Sequence, residues 1–288
     1  MVKAKEQNMI KLKDVSFDYS KTKLFNGLTI DIPGGNIYGL LGMNGAGKTT
    51  LLKIISGQLY IKSGEADVLG HNPQKRNSKM LEQIFYLPEE FYLPNIELKE
   101  YLLINVPFYP GFDKVAFDRY TKAFDLDFSK KLSEFSYGQK KKFLLSFGLA
   151  SNTSLLILDE PTNGLDIPSK SQFRRTLASA MTANRTFIIS THQVRDMENL
   201  IDPIIILNEG KVVFNNSLNE VTSALTLSLT PTEPENTECV FKEKVPGGWS
   251  ALKMRNDEDP ETNVDLETLF NAVVANPAAI TNLMNKGV

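Results

Sequence analysis

"YGLLGMNGAGKTTLLKIISG", residues 38–57, decides how the rest of the chain is read. The apolar run ending at Gly42 predicts a buried strand. From Gly47 onward the spacing predicts a helix whose apolar face carries Leu51, Leu52, Ile55 and Leu59. Between them, Gly42, Met43, Asn44, Gly45, Ala46, Gly47, Lys48 and Thr49 fit G-x-x-x-x-G-K-[ST] in full. Glycines let the backbone curl so that consecutive N–H groups point at one anion, and the following helix adds its positive end. Lys48 then reaches the outer phosphates of a nucleotide, the Thr49 hydroxyl is a Mg²⁺ ligand, and Thr50 contacts the inner phosphate.

A second stretch completes that chemistry. "LLILDE", residues 155–160, reads as a buried strand with two carboxylates at its C-terminal end, where open α/β sheets bind ligands. Asp159 suits Mg²⁺ through its water shell, and Glu160 suits the polarisation of an attacking water. Both motifs point to a Mg²⁺-dependent nucleotide hydrolase or transferase without choosing between them. The absence of the guanine-reading N-K-x-D pattern favours ATP.

Outward from these motifs, strands and helices alternate, which implies a mainly parallel α/β sheet covered on both faces. Strands are expected in "MIKLKDVSFDY", "KLFNGLTIDIP", "SGEADVLG", "EQIFYLP", "RTFIIST" and a hairpin "PIIILNEGKVVF" with its turn at "NEG". Helices are expected in "KSQFRRTLASAMTAN" and "QVRDMENLI". Residues about 90–150 have helical spacing and no strand pattern, as a helical insert would. The character changes again after about residue 220. There "ALTLSLT", "CVFKEKV" and "WSALKMR" read as strands, "NDEDPETN" as an acidic turn and "VDLETLFNAVVAN" as a closing helix. The organisation read from this is a catalytic domain over 8–220 and a small accessory region over 221–288.

Composition bounds the function. The 288 residues carry 32 Lys and Arg against 34 Asp and Glu, a balance with no global pull toward nucleic acid. One cysteine, Cys239, excludes an intramolecular disulfide and a cysteine zinc site. No stretch approaches the roughly 18 apolar residues of a membrane span, and the first ten residues lack a signal-peptide core. A soluble, cytoplasmic chain is the expectation, held at a membrane only by a partner.

The order of the remaining motifs resembles the ATP-binding-cassette family, the nucleotide-binding subunits of ABC transporters. "EFSYGQKKK", residues 134–142, precedes "LLILDEP", and "TNGLD" and "STHQV" follow it. The resemblance spans roughly residues 9–216. It implies a RecA-like, mainly parallel sheet core with an N-terminal antiparallel region, the helical insert, and a small α+β appendage. Residue by residue, it implies that Tyr19 stacks on adenine. Glu89 stands where the family has a glutamine touching Mg²⁺ and the attacking water. Ser136, Gly138 and Gln139 belong to the signature, normally L-S-G-G-Q. Asp166 lies in the loop that communicates between subunits, and His192 is the switch histidine facing the γ-phosphate.

The same resemblance implies a head-to-tail pair of cassettes. Each ATP lies between the Gly42–Thr50 loop of one and the signature of the other, and the pair is coupled to transmembrane permease subunits. It places the chain on the inner face of the cell membrane without inserting into it. "VDLETLF" resembles a pattern near the C-terminus of ABC-2-type exporter cassettes and, with Glu89, points toward export. Soluble cassettes of DNA repair, chromosome organisation and translation are the rival, disfavoured by the lack of heptads between residues 50 and 155 and by the single cassette. A non-enzymatic cassette is disfavoured because Lys48, Asp159, Glu160 and His192 are all present. Three departures stand out: Glu89 for Gln, Tyr137 for the first signature Gly, and Phe135 for Leu. Tyr137 is expected at ordinary helix-start dihedrals with its ring turned from the phosphate. Lys140, Lys141 and Lys142 read as a solvated face.

Overall fold

The computed structural model describes residues 8–20, 22–197, 200–235, 239–256, 262 and 264–284. From the N-terminus, β1 (Asn8–Tyr19) and β2 (Thr22–Pro33) lead into β3 (Ile37–Leu41) and α1 (Lys48–Ile55). β4 (Ser63–Val68), α2 (Ser78–Leu81) and β5 (Ile84–Leu87) follow. Three helices come next in succession: α3 (Leu98–Asn105), α4 (Lys114–Ala123) and α5 (Tyr137–Ala150). Then come β6 (Leu155–Asp159), α6 (Ile167–Ala180), β7 (Thr186–Thr191), β8 (Ile204–Asn208) and β9 (Lys211–Asn216). The C-terminal elements are α7 (Leu218–Ala224), β10 (Leu225–Thr230), β11 (Phe241–Val245), β12 (Gly248–Met254), α8 (Leu266–Ala275) and α9 (Pro277–Met284).

The main sheet runs β5-β6-β7-β3-β8-β9, parallel except for β9, which pairs antiparallel with β8. Every residue of β3, β6 and β7 is buried, as a sheet covered on both faces requires. Alternation divides those side chains between two cores. Leu155, Ile157, Ile188, Ile205 and Leu207 face the antiparallel sheet β2-β1-β4 and α1. Leu156, Leu158, Phe187, Ile189, Ile204 and Ile206 face the helical insert and the C-terminal helices.

The C-terminal region shares that second core. Leu252, Leu266, Leu269, Val273, Ile280 and Met284 are buried in one cluster with Ile206 and Phe214. β10, β12 and β11 form their own antiparallel sheet. Asp265 caps α8, its side chain accepting from Thr268 N.

Several expectations need correction. The helix after Gly47 ends at Ile55, because Gly57 turns the chain left-handed (φ 73°) and Gln58 N donates back to Lys53 O. Leu59 is therefore not on its face. In "QVRDMENLI" the described residues form only a 3₁₀ turn over Val194–Met197; Glu198 and Asn199 lie outside the described residues. Most of "NDEDPETN" does too. Three short helices, α2, α7 and α9, are not among the expected elements.

Candidate nucleotide site

Lys48, Thr49, Asp159 and Glu160 line an open cleft of about 360 Å³ at the C-terminal ends of β3 and β6, together with Tyr19, Met43, Asn44, Thr50 and Glu89. A larger groove of about 1200 Å³ lies at the opposite end of the sheet, lined by Asn36, Gln83, Ser154 and Asn184. Parallel sheets bind ligands at their carboxyl ends, and the reactive side chains are at the smaller cleft. That cleft is the candidate site.

The loop leaving β3 has no room for a side chain at Gly42, where a Cβ would lie 2.5 Å from Leu207 O. Gly45 and Gly47 sit at positive φ, 82° and 106°, and turn the chain into α1. No side chain caps α1, and its first turn holds no acid, so its N–H groups remain available to an anion. Lys48 Nζ curls over the loop, donating to Gly42 O at 2.7 Å and Met43 O at 3.3 Å. Burial lowers its pKa, opposed by the charges of Glu160, Asp159 and Glu89.

Thr49 Oγ1 donates to Asp159 Oδ2 at 2.7 Å, which brings two hard oxygen donors together from α1 and β6. Asp159 is held on its other oxygen by the Ser190 hydroxyl, and the Tyr86 hydroxyl donates to Oδ2 at 3.4 Å. Burial and the Asp159 carboxylate push the Tyr86 phenol well above its ordinary pKa. Among the described residues no group of three or more His, Cys, Asp or Glu forms a metal cage. A threonine hydroxyl and one carboxylate fit Mg²⁺, which keeps waters and substrate phosphates as its other ligands.

Glu160 follows directly, in a left-handed conformation unusual for a side-chain residue (φ 47°). Its N–H donates to Ser190 O and Oγ, both at 3.1 Å. Glu160 Oε1 lies 2.7 Å from His192 Nδ1. A carboxylate only accepts, so Nδ1 carries the proton. Glu160 Oε2 is buried without a hydrogen-bond partner among the described residues, and Lys48 Nζ stands 4.0 Å from Oε1. An orphaned carboxylate oxygen beside a phosphate-type loop is suited to accept a proton from water.

Other sequence-expected residues fall around this centre. The Tyr19 hydroxyl is 3.2 Å from Thr50 Oγ1, and its ring is half exposed at the cleft mouth. Glu89 Oε1 accepts from Asn163 Nδ2 at 2.9 Å, and Asn163 Oδ1 accepts from Gln193 Nε2 at 3.2 Å. Ser136, Gly138, Gln139 and Asp166 do not line the cleft. Ser136 and Gln139 form a capping box at the start of α5, and Asp166 caps α6 by accepting from Ser169 N at 2.8 Å. Hydrogen bonds from Ser169 hold the Asp166 carboxyl below the usual range. Tyr137 opens α5 and is not among the residues at positive φ. Its ring stacks on Phe91 at 5.3 Å and its hydroxyl donates to Glu89 O at 2.9 Å. A Cβ on Gly164 would meet that ring at 2.7 Å.

The solvated-lysine reading fails at Lys141, which is fully buried. Its Nζ donates to Glu160 O at 2.8 Å and Asn163 O at 2.9 Å. Helical spacing held the signal: 141, 144, 145 and 148 share one face, and Leu144, Leu145 and Gly148 are all buried.

A sequence model of the family described as ABC transporter matches residues 25–163. The chain is 36% identical over 210 residues to the bacitracin transport ATP-binding protein BcrA of Bacillus licheniformis, over 71% of this chain and 68% of that protein. It is 30% identical over 212 residues to Nod factor export ATP-binding protein I of Burkholderia orbicola, over 71% of this chain and 69% of that protein. A solved structure described as an ATP binding subunit of an ABC transporter superposes with a TM-score of 0.67 at 25% identity, covering 74% of this chain and 91% of that one. With this fold and this cleft, the chain belongs to the ABC transporter family as an ATP-binding subunit, an ATPase.

Proposed function

We propose that Mg²⁺-ATP binds in the Gly42–Thr50 cleft and is hydrolysed there with Glu160 as general base, driving export through separate membrane subunits. The observation that carries this reading is the Glu160 carboxylate: Oε1 is held by His192 with Lys48 Nζ 4.0 Å away, and Oε2 is buried and without a partner among the described residues. Lys48 exchanges the loop carbonyls for the outer phosphates, and the loop N–H groups hold the same anion. Thr49 and Asp159 would hold Mg²⁺, with Glu89 at its edge; the ion when bound neutralises phosphate charge. Tyr19 stacks on adenine, and Met43, Asn44, Ala46 and Thr50 contribute the rest of the cradle. Glu160 takes the proton of the attacking water. His192 fixes Oε1 and faces the γ-phosphate.

Ser136, Gly138 and Gln139 serve a second cassette, arranged head to tail. Ser136 is exposed, Gly138 and Gln139 are half-buried, and none of the three lines this cleft, which supports that reading, as does Asp166 at the head of α6. No helix among the described residues is long and apolar enough to cross a membrane, so permease partners would hold the chain at the inner face of the cell membrane. Relatives named for bacitracin transport and Nod factor export support an exporter.

The test is Glu160→Gln. Turnover is expected to fall about 10²-fold or more with ATP affinity retained, and an ATP-dependent dimer should accumulate in size-exclusion chromatography. Wild-type turnover in that variant overturns the assignment of the base. Co-purification of the tagged chain with a multi-span membrane protein separates the transporter from a soluble cassette.

A further inference from the structure

Burying an ammonium group is costly, and an apolar side chain would fill the same space without that cost. Lys141 is nevertheless fully buried in α5, and among the described residues it has no carboxylate within ion-pair distance. Its two hydrogen bonds go to main-chain carbonyls, those of Glu160 and Asn163. Nζ also lies 5.3 Å from the centre of the Tyr137 ring.

Those carbonyls belong to the segment that carries the strained residue. A non-glycine residue at φ 47° lies in a sparsely populated region, and such strain persists only where the surroundings over-determine it. At Glu160 the surroundings act on both sides. Its N–H is held by Ser190 of β7, and its C=O by Lys141 of α5. Released on one side, the residue would relax toward an ordinary φ and swing its carboxylate away from His192.

We propose that Lys141 is a positioning residue for hydrolysis: it clamps the Glu160 main chain in the left-handed conformation that aims the carboxylate, and so ties the signature helix to the general base of the same subunit. This rests on the reading of Glu160 as that base. The clamp acts on Glu160 through its backbone and touches no substrate.

The test uses Lys141→Met, which keeps the length and apolar stem and removes the donors, alongside Glu160→Gln and the double variant. Phosphate release gives kcat and KM, and binding of a fluorescent ATP analogue gives affinity. Lys141→Met is expected to lower kcat about tenfold or more with KM and affinity within about threefold. In the Glu160→Gln background the same change should have no further effect, because it acts through the group already removed. Lys141→Arg, which keeps donors, should recover part of kcat. Wild-type kcat in Lys141→Met overturns the inference. So does a multiplicative loss in the double variant. Loss of nucleotide binding also overturns it, since that would place Lys141 in the general fold. Wild-type turnover in Glu160→Gln overturns instead the reading of the base.

Discussion

At position 89 the contact observed is one that a glutamine also makes: an oxygen accepting from Asn163 Nδ2. Glu89→Gln keeps that acceptor and removes a negative charge that helps hold Lys48 and Lys141 protonated. Hydrolysis by the variant is expected to stay within about tenfold of wild type, since a Mg²⁺-shell oxygen is retained; complete loss of phosphate release would contradict this. Tyr137 was read from sequence with its dihedrals right, because position N1 of a helix asks nothing special of φ. Its neighbours were not legible, since Phe91, Glu89 and Gly164 meet it only in the fold. Lys141 shows the opposite difficulty. Three consecutive lysines look alike as composition, and only the helical phase fixed by the downstream apolar residues turns the middle one inward. Burial then brings its pKa down to about 8.

Between elements, one close approach is at the end of β3. Gly42 faces the β8 carbonyl of Leu207, so Gly42→Ala must push β3 and β8 apart. Overpacking of this kind costs about 1–3 kcal/mol, and thermal unfolding should show a lowered midpoint together with lost ATP binding. An unchanged midpoint would mean that the strand end is softer than its packing indicates. Strands were well read from sequence because period-2 burial on both faces leaves unbroken apolar runs. Helix ends were read less well. α1 stops where Gly57 adopts a left-handed turn, a decision made by one residue that the apolar spacing overran. α7 begins with a capping box of Ser217 and Glu220, a local signal in a stretch to which the sequence reading assigns no element. α9 is an eight-residue helix that opens on Pro277 and owes its place to burying Ile280 and Met284.

For the molecule as a whole, the accessory region is not an ornament on a finished domain. α7, Leu218–Ala224, runs across the boundary expected near residue 220. Leu266, Leu269 and Val273 cover Ile206 and Phe214 beneath the main sheet. A buried side chain of this size contributes about 1.5–3 kcal/mol, against a total stability of about 5–15 kcal/mol for a typical protein. A chain ending at residue 220 is therefore expected to unfold at lower temperature and to bind a hydrophobic dye. An equal midpoint and no dye binding would show the catalytic domain to be self-sufficient. The shared core also has a consequence for how the protein is made. Its members run from Ile37 to Met284, so a ribosome that has already released the ATP loop still withholds the residues that close the core under it. The core under that loop therefore closes only after residues as late as Met284 have left the ribosome.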